Sequence, residues 1–517
     1  MNRYITNVFV VILLITLVIL IFSRFNYRHI PFERDEGEYA YVGSLILHGF
    51  QPYKEAYNMK FPGTYFMYAL IMKSGNENVE SVRLGVLLIL LFTSLGVAGI
   101  VNILTQNKVA ALLAATMLVA FNSTMDGEGL MSNAEHFVNF CVVWGIFLLL
   151  KSKENHRKFY LLFASGLMLS LGVIMKQYGY AFYLFGLVIL LADILRKSKQ
   201  EILKSLLIFG TGSSIPLFLV AIWVSVYNLW DKFIFLTINY AKVYIGLSNG
   251  GPGKTLNIVI HGMEPLNYLV YFSLLMVCLF IFKSETRILL LWLLFSVVAF
   301  STGFHFRLHY SLLLYPALAV TVAYAYFLFD KKLNPVISSI GITGILIAFF
   351  CIQSPVIFAE SPQSVFNKHY QWSMFSEMPK IAAHINTLLP KDEKLSMFSN
   401  EPEIYFYSKR VAASGYIYTY PFFEKQKYNR QMFKEYSTEI KNNPSRLFVY
   451  HNGESGCQDD AMCIEASVWR NQLLDNYSLI GAYIANSDSS AVYLTSLDLI
   501  SDSNWQSKLN ISFWNKK

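Results

Sequence analysis

The chain has 517 residues, of which 54% are apolar, 16% aromatic and only 15% charged, with a mean hydropathy of +0.40. Soluble domains carry about 25% charged residues, so a single water-soluble globule is excluded for the chain as a whole. The formal net charge of +8 lies largely in short runs between apolar stretches, a pattern of membrane topology and not of nucleic-acid binding.

In chain order, the first apolar stretch, 4–22, is longer than a secretory signal core. It is followed by Ser23-Arg24-Phe25-Asn26, not by a small-x-small cleavage site, and is expected to remain as an anchor. Stretches such as 8–22, 84–103 and 206–226 approach the roughly 20 residues that cross a bilayer, and whole segments lack the polar face of a soluble helix. Basic runs at 151–158, 196–204, 283–287 and 331–332 read as cytoplasmic loops. The expected fold is therefore mainly α, a polytopic helix bundle of about eleven spans: 5–23, 82–105, 109–122, 134–150, 159–175, 180–195, 205–227, 266–282, 288–303, 310–330 and 335–353. The outer segments are then 24–81, 123–133, 176–179, 228–265, 304–309 and the tail. A membrane domain over 1–353 and an extracytoplasmic α/β domain over 354–517 are expected.

The first outer segment carries the run Glu33-Arg34-Asp35-Glu36-Gly37-Glu38-Tyr39. Asp35 with Glu38 forms a capping-box spacing, and Tyr39, Val42 and Ile46 share a helical face that Gly49 and Pro52 end. A second helix is expected from Pro62 through Tyr65, Phe66 and Tyr68 to Lys73. The two helices read as an amphipathic interfacial layer. Capping explains such carboxylates by itself. At the watery edge of a bundle they are also placed to take a proton from an acceptor hydroxyl or to steady positive charge on a sugar ring.

Further along, Asp126-Gly127-Glu128 and Asn133-Ala134-Glu135-His136 form a second acidic group. Adjacent helical residues diverge by about 100°, which argues against Glu135 and His136 as a metal pair. Lys176-Gln177 and His305-Phe306-Arg307-Leu308-His309-Tyr310 place cations on the outer face, where headgroup anchoring or phosphate binding would explain them. The stretch 248–255 ends like a P-loop but has Ser248 where the motif needs Gly and no preceding strand; it reads as a flexible outer loop. Cys141, Cys278 and Cys351 fall in apolar segments and read as small core residues. Cys457 and Cys463 lie in the tail, where a disulfide would fit an oxidising compartment. The tail shows a helical stretch at 371–389 and strand-like runs at 395–398, 404–407, 447–450, 479–484 and 491–494.

Three runs together resemble the first outer loop of the dolichyl-phosphate-mannose protein mannosyltransferase-like glycosyltransferases of the GT-C superfamily, which include lipid A aminoarabinose transferases. They are Asp35-Glu36-Gly37-Glu38-Tyr39, Leu47-His48-Gly49-Phe50-Gln51-Pro52-Tyr53 and Met59-Lys60-Phe61-Pro62-Gly63-Thr64-Tyr65. The family's Gly-x-x-x-Pro stretch is one residue shorter here, and its Lys-Pro-Pro-like motif reads Lys-Phe-Pro-Gly. His309-Tyr310 with Pro316-Ala317 resembles a further segment of these transferases. The resemblance implies inverting sugar transfer from a polyprenyl-phosphate donor to an extracytoplasmic glycolipid, polysaccharide or protein, at a bacterial inner or plasma membrane. Asp35 would be the essential carboxylate with Glu36 beside it, and Glu135 would match a second acidic position. Lys60, Lys176, Arg307 and His309 would bind the donor, and Tyr39 would line the cavity. The implied partners are the polyprenyl-phosphate-linked sugar, the acceptor and membrane lipids. No cofactor is called for, with a divalent metal left open. A transporter or flippase of lipid-linked sugars is the alternative, and it would place ionisable groups nearer the bilayer midplane.

Overall fold

The structure, a computed structural model, describes residues 2–153, 158–194, 198–247, 251–332, 335–371, 373–452, 457–501 and 504–517. Parts of the basic runs at 151–158 and 196–204, and residues 248–250 of the P-loop-like stretch, lie outside the described residues.

Every stretch expected to span is helical. The chain opens with α1 (Asn2–Asn26), α2 (Arg34–Leu47), α3 (Gly63–Ser74), α4 (Val79–Thr105), α5 (Lys108–Phe121) and α6 (Glu135–Ser152). Helices Lys158–Met175, Gly179–Ile194, Lys199–Val226, Leu266–Leu279, Ser284–Ser301, Tyr315–Lys332 and Pro335–Ile352 complete the bundle. Among the described residues, six helices are long and apolar enough to cross a membrane, and a seventh if Pro252–Gly262 and Leu266–Leu279, bent by 112° at their junction, form one broken span. Lys108–Phe121, Gly179–Ile194 and Val336–Ile352 are apolar but shorter.

Small residues set the closest helix approach, as they do where packing cannot draw on a hydrophobic driving force. A Cβ at Gly166 would lie 2.2 Å from Phe209 O, and one at Gly212 would lie 2.1 Å from Phe163 O. Helices Lys158–Met175 and Lys199–Val226 thus meet backbone to backbone. At one end of the bundle the basic loops gather, with Lys158 Nζ 3.2 Å from Glu201 Oε1 and Lys153 Nζ 3.9 Å from Asp193 Oδ1.

The tail forms a five-stranded sheet of β1 (Ser396–Phe398), β2 (Leu447–His451), β3 (Tyr477–Ala485), β4 (Ala491–Thr495) and β5 (Asn510–Lys516), in the order β1-β2-β5-β3-β4. Only β1 and β2 pair in parallel; the other pairs are antiparallel. Two expectations change. The run at 404–407 is helix Glu403–Ser408, because Ile404, Tyr405 and Phe406 are all buried and such a run carries no period to tell strand from helix. The terminal strand β5, paired between β2 and β3, was not anticipated. The helix expected over 371–389 is Met378–Leu388, which opens with a proline in its first turn.

Cys457 and Cys463 form a disulfide. Cys141 is buried, but Cys278 and Cys351 are exposed on their helices and are not core residues. The first outer segment differs most from expectation. Most of α2 is buried, enclosed between the bundle and the tail, so it is not a layer lying on the surface. Tyr41 stacks on Tyr405 at 5.1 Å, the Ala412 N–H donates to Tyr41 Oη at 2.9 Å, and the Phe32 N–H donates to Tyr407 Oη at 2.7 Å.

Candidate active site

The start of α2 fixes the site. Its cap is Glu33, whose carboxylate accepts from the N–H groups of Asp35 at 2.9 Å and Glu36 at 3.0 Å. Glu36 Oε2 accepts in return from the Glu33 N–H at 3.1 Å. The capping box is therefore Glu33/Glu36, two residues upstream of the expected Asp35/Glu38 pair, because the longer Glu33 side chain reaches the free first-turn donors. That shift releases Asp35 and Glu38 from capping.

Glu36, a candidate catalytic residue from sequence, is fully buried and gripped by Arg83, whose Nη2 lies 2.9 Å away, and by the Ser132 N–H. It ties α2 to α4 and to the loop before α6, and it does not join Asp35.

Asp35 faces the other way, with its side chain 27% exposed. Oδ1 lies 3.2 Å from Lys60 Nζ and Oδ2 lies 3.8 Å from His309 Nε2. Lys60 Nζ also donates to Glu38 Oε2 at 2.6 Å and sits 4.4 Å over the Tyr39 ring. Glu38, wholly buried, accepts in addition from Tyr65 Oη at 2.5 Å and Tyr418 Oη at 3.0 Å. Glu135 accepts from Lys176 at 3.0 Å and from the Tyr178 hydroxyl, and its Oε1 is 4.0 Å from His309 Nε2. Lys176 Nζ in turn faces the rings of Tyr178 and Tyr310. Arg307 is exposed, and its charge acts on Tyr244, Tyr310 and Asp35.

Charge follows from these contacts. Burial alone would raise the Asp35 carboxyl, but Lys60, His309 and Lys176 outweigh it and hold it well below the usual carboxylate range. Burial opposes the charge on Lys60 too, and Asp35 and Glu38 keep it above the ordinary ammonium value. The Tyr39 phenol is pushed well up, first by burial and then by Asp35, Glu135 and Glu38. Its hydroxyl stays a donor, and it has no hydrogen-bond partner among the described residues. The site is thus an ionised carboxylate bordered by fixed cations and phenols, suited to an anionic leaving group beside a nucleophilic hydroxyl.

Asp35, Tyr39, Lys60, Glu135, Lys176, Arg307 and His309, drawn from four separate outer segments and their flanking helices, therefore meet at one end of the bundle. Glu38, Tyr65, Glu128, Tyr178 and Tyr418 join them without having been singled out as site residues. For Glu38 the signal was available, a fourth acid in a six-residue run, but capping absorbed it. Among the described residues, no group of three or more His, Cys, Asp or Glu side chains is arranged to hold a metal ion.

The apolar helix bundle and the small sheet domain over one end of it together have an ArnT-like GT-C fold. Residues 59–225 match the family model of dolichyl-phosphate-mannose-protein mannosyltransferase. The chain is similar over 95% of its length to ArnT from Cupriavidus metallidurans bound to undecaprenyl phosphate, covering 99% of that chain at 15% identity and a TM-score of 0.63. The apo state of the same ArnT matches over 94% of this chain and 97% of that one, at 14% identity and a TM-score of 0.60. The oligosaccharyltransferase AglB from Archaeoglobus fulgidus, in complex with an inhibitory peptide and a dolichol-phosphate, matches over 94% of this chain and 74% of that one, at 13% identity and a TM-score of 0.51. No curated protein sequence matches the chain.

Proposed function

We propose that the chain transfers a sugar, with inversion, from a polyprenyl-phosphate donor to an acceptor on the extracytoplasmic side of a bacterial inner membrane. One observation carries the reading: Asp35 lies within 4 Å of cationic or titratable groups from distant segments, Lys60 and His309, at the end of the bundle opposite the basic loops. The undecaprenyl phosphate bound in ArnT and the dolichol-phosphate bound in AglB support a lipid phosphate as the donor's carrier.

In this scheme the prenyl chain stays among the apolar helices, where each buried CH₂ contributes about 0.8 kcal/mol. The phosphate sits at the water–lipid boundary against Lys60, Lys176 and Arg307, with the planar fork of Arg307 matched to two phosphate oxygens. The acceptor hydroxyl attacks the anomeric carbon from the face opposite the phosphate. The carbon–oxygen bond to phosphate breaks, its electron pair stays on the leaving oxygen, and the fixed cations stabilise that charge. Asp35 orients the hydroxyl and takes its proton. A flippase would need its ionisable groups along a path near the midplane; here they lie at one end.

Asp35→Asn keeps the size of the side chain, removes its charge and replaces one acceptor oxygen by a donor. Transfer should fall by at least about 100-fold at unchanged membrane level, read by mass spectrometry of glycolipids and glycopolymers from cells carrying each variant. A glycan profile identical to that of the unaltered protein, and different from that of cells lacking it, would refute the assignment.

A further inference from the structure

Glu128 is a buried carboxylate on a loop residue held at φ +52°, a left-handed conformation that costs a non-glycine residue energy and tends to persist where function requires it. Its Oε2 lies 2.8 Å from His309 Nδ1, and its Oε1 accepts from Tyr370 Oη at 3.1 Å and lies 3.7 Å from His369 Nε2. Burial opposes ionisation of Glu128, yet the hydrogen bond to His309 and the nearby His369 hold its carboxyl well below the usual range. An ionised carboxylate only accepts, so Nδ1 of His309 carries the proton. When the ring is neutral, Nε2 is its acceptor atom, and it lies 3.8 Å from Asp35 Oδ2.

We infer that Glu128 and His309 form a proton relay behind Asp35. Glu128 is the positioning residue that fixes the imidazole tautomer, and His309 receives the proton that Asp35 takes from the acceptor hydroxyl. This rests on the reading of Asp35 given above and extends it. Lys60, paired to Asp35 at 3.2 Å, disfavours a proton on that carboxylate, whereas imidazole is the usual proton carrier of general acid–base sites.

The step balances. The acceptor oxygen bonds to the anomeric carbon, and the phosphodiester monoanion leaves as a phosphate dianion with the electron pair. The hydroxyl proton passes through Asp35 to Nε2. The imidazolium formed beside Glu128, Glu135 and Asp35 then returns that proton to water. The 3.8 Å gap matches the long catalytic hydrogen bonds common before substrate binds. The charged and titratable groups around His309 are Asp35 from α2, Glu128 from the loop before α6, Glu135 from α6, the cations Lys60 and Lys176 paired to those acids, and its neighbours Arg307 and Tyr310.

The test is ¹⁵N-histidine NMR of the full chain in lipid nanodiscs, with the His309 signal assigned by its loss in His309→Gln. The unaltered protein should show the Nδ1–H tautomer above its titration. Glu128→Gln, which removes one flanking negative charge, should lower the His309 midpoint by about 1 pH unit. An Nε2–H tautomer in the unaltered protein, or an unmoved midpoint in Glu128→Gln, would overturn the relay. In isolated membranes carrying their own donor and acceptor, the acid limb of the rate profile should move to lower pH by the same amount in Glu128→Gln. If Asp35→Asn is inactive and that limb stays where it was, the relay fails and the site stands. If Asp35→Asn remains active, the reading of the site itself fails.

Discussion

Four acids within six residues, Glu33, Asp35, Glu36 and Glu38, have four different surroundings, and side-chain direction decides each. Glu33 caps the helix, Glu36 is locked to Arg83, Glu38 collects three donors, and Asp35 faces the opening. The sequence carries the cluster and its place after the first span. It does not carry the assignment within the cluster, because two of the donors that define Glu38 are 27 and 380 residues away along the chain. Glu424, from the tail, gives this scale a pH test. Burial pushes its carboxyl up from 4.5 to about 7, partly offset by the Tyr240 hydrogen bond and the charge of Arg307. Between these values the folded state binds more protons than the unfolded state, so stability should fall as pH rises from about 4.5 to about 7. Glu424→Gln should flatten that fall in thermal unfolding of the protein in nanodiscs between pH 4.5 and pH 8.

Helix α2 is held from both sides, and its position depends on both. On the bundle side the Arg83–Glu36 pair is shut away from water. On the tail side Arg34 Nη2 lies 2.6 Å from Glu401 Oε1, and Gly37 packs on helix Glu403–Ser408. Replacing Arg83 by Met would strip buried Glu36 of its cation, at a cost of about 3–5 kcal/mol. The double change with Glu36→Gln should recover part of that loss in thermal unfolding. A Cβ at Gly37 would sit 2.3 Å from Glu403 Cβ and 2.8 Å from Glu403 Cα, so Gly37→Ala must push the tail helix from α2. The expected cost is about 1–3 kcal/mol, and transfer should fall further than that loss of folded protein explains. Helical periodicity gave the existence of α2 and α3 and their ends to within two residues. Their enclosure was not legible, since a buried helix and an interfacial one share the same stripe of Tyr, Val and Ile.

Across the whole molecule, apolar length and basic loops were enough to anticipate each helix of the bundle, because lipid forces the backbone to satisfy its own hydrogen bonds. The tail is harder to read: a short run buried on all sides carries no period, so 404–407 reads as a strand although it is helix Glu403–Ser408. The segments expected on one side of the membrane do converge on one site, and their orientation can be tested separately. With Cys141, Cys278 and Cys351 replaced, a cysteine at exposed Asp488 should react with a membrane-impermeant maleimide on intact spheroplasts. One at exposed Lys283 should react only after permeabilisation. The reverse pattern would turn the site to the cytoplasm.

The most direct measurement is a cryo-EM structure of the full chain in nanodiscs with undecaprenyl phosphate. Phosphate density is expected within ion-pairing distance of Lys60 and Arg307, on the side of Asp35 that faces the opening, with the prenyl chain running down between apolar helices. Phosphate bound elsewhere, with Asp35 and Arg307 opening onto separate cavities, would contradict it.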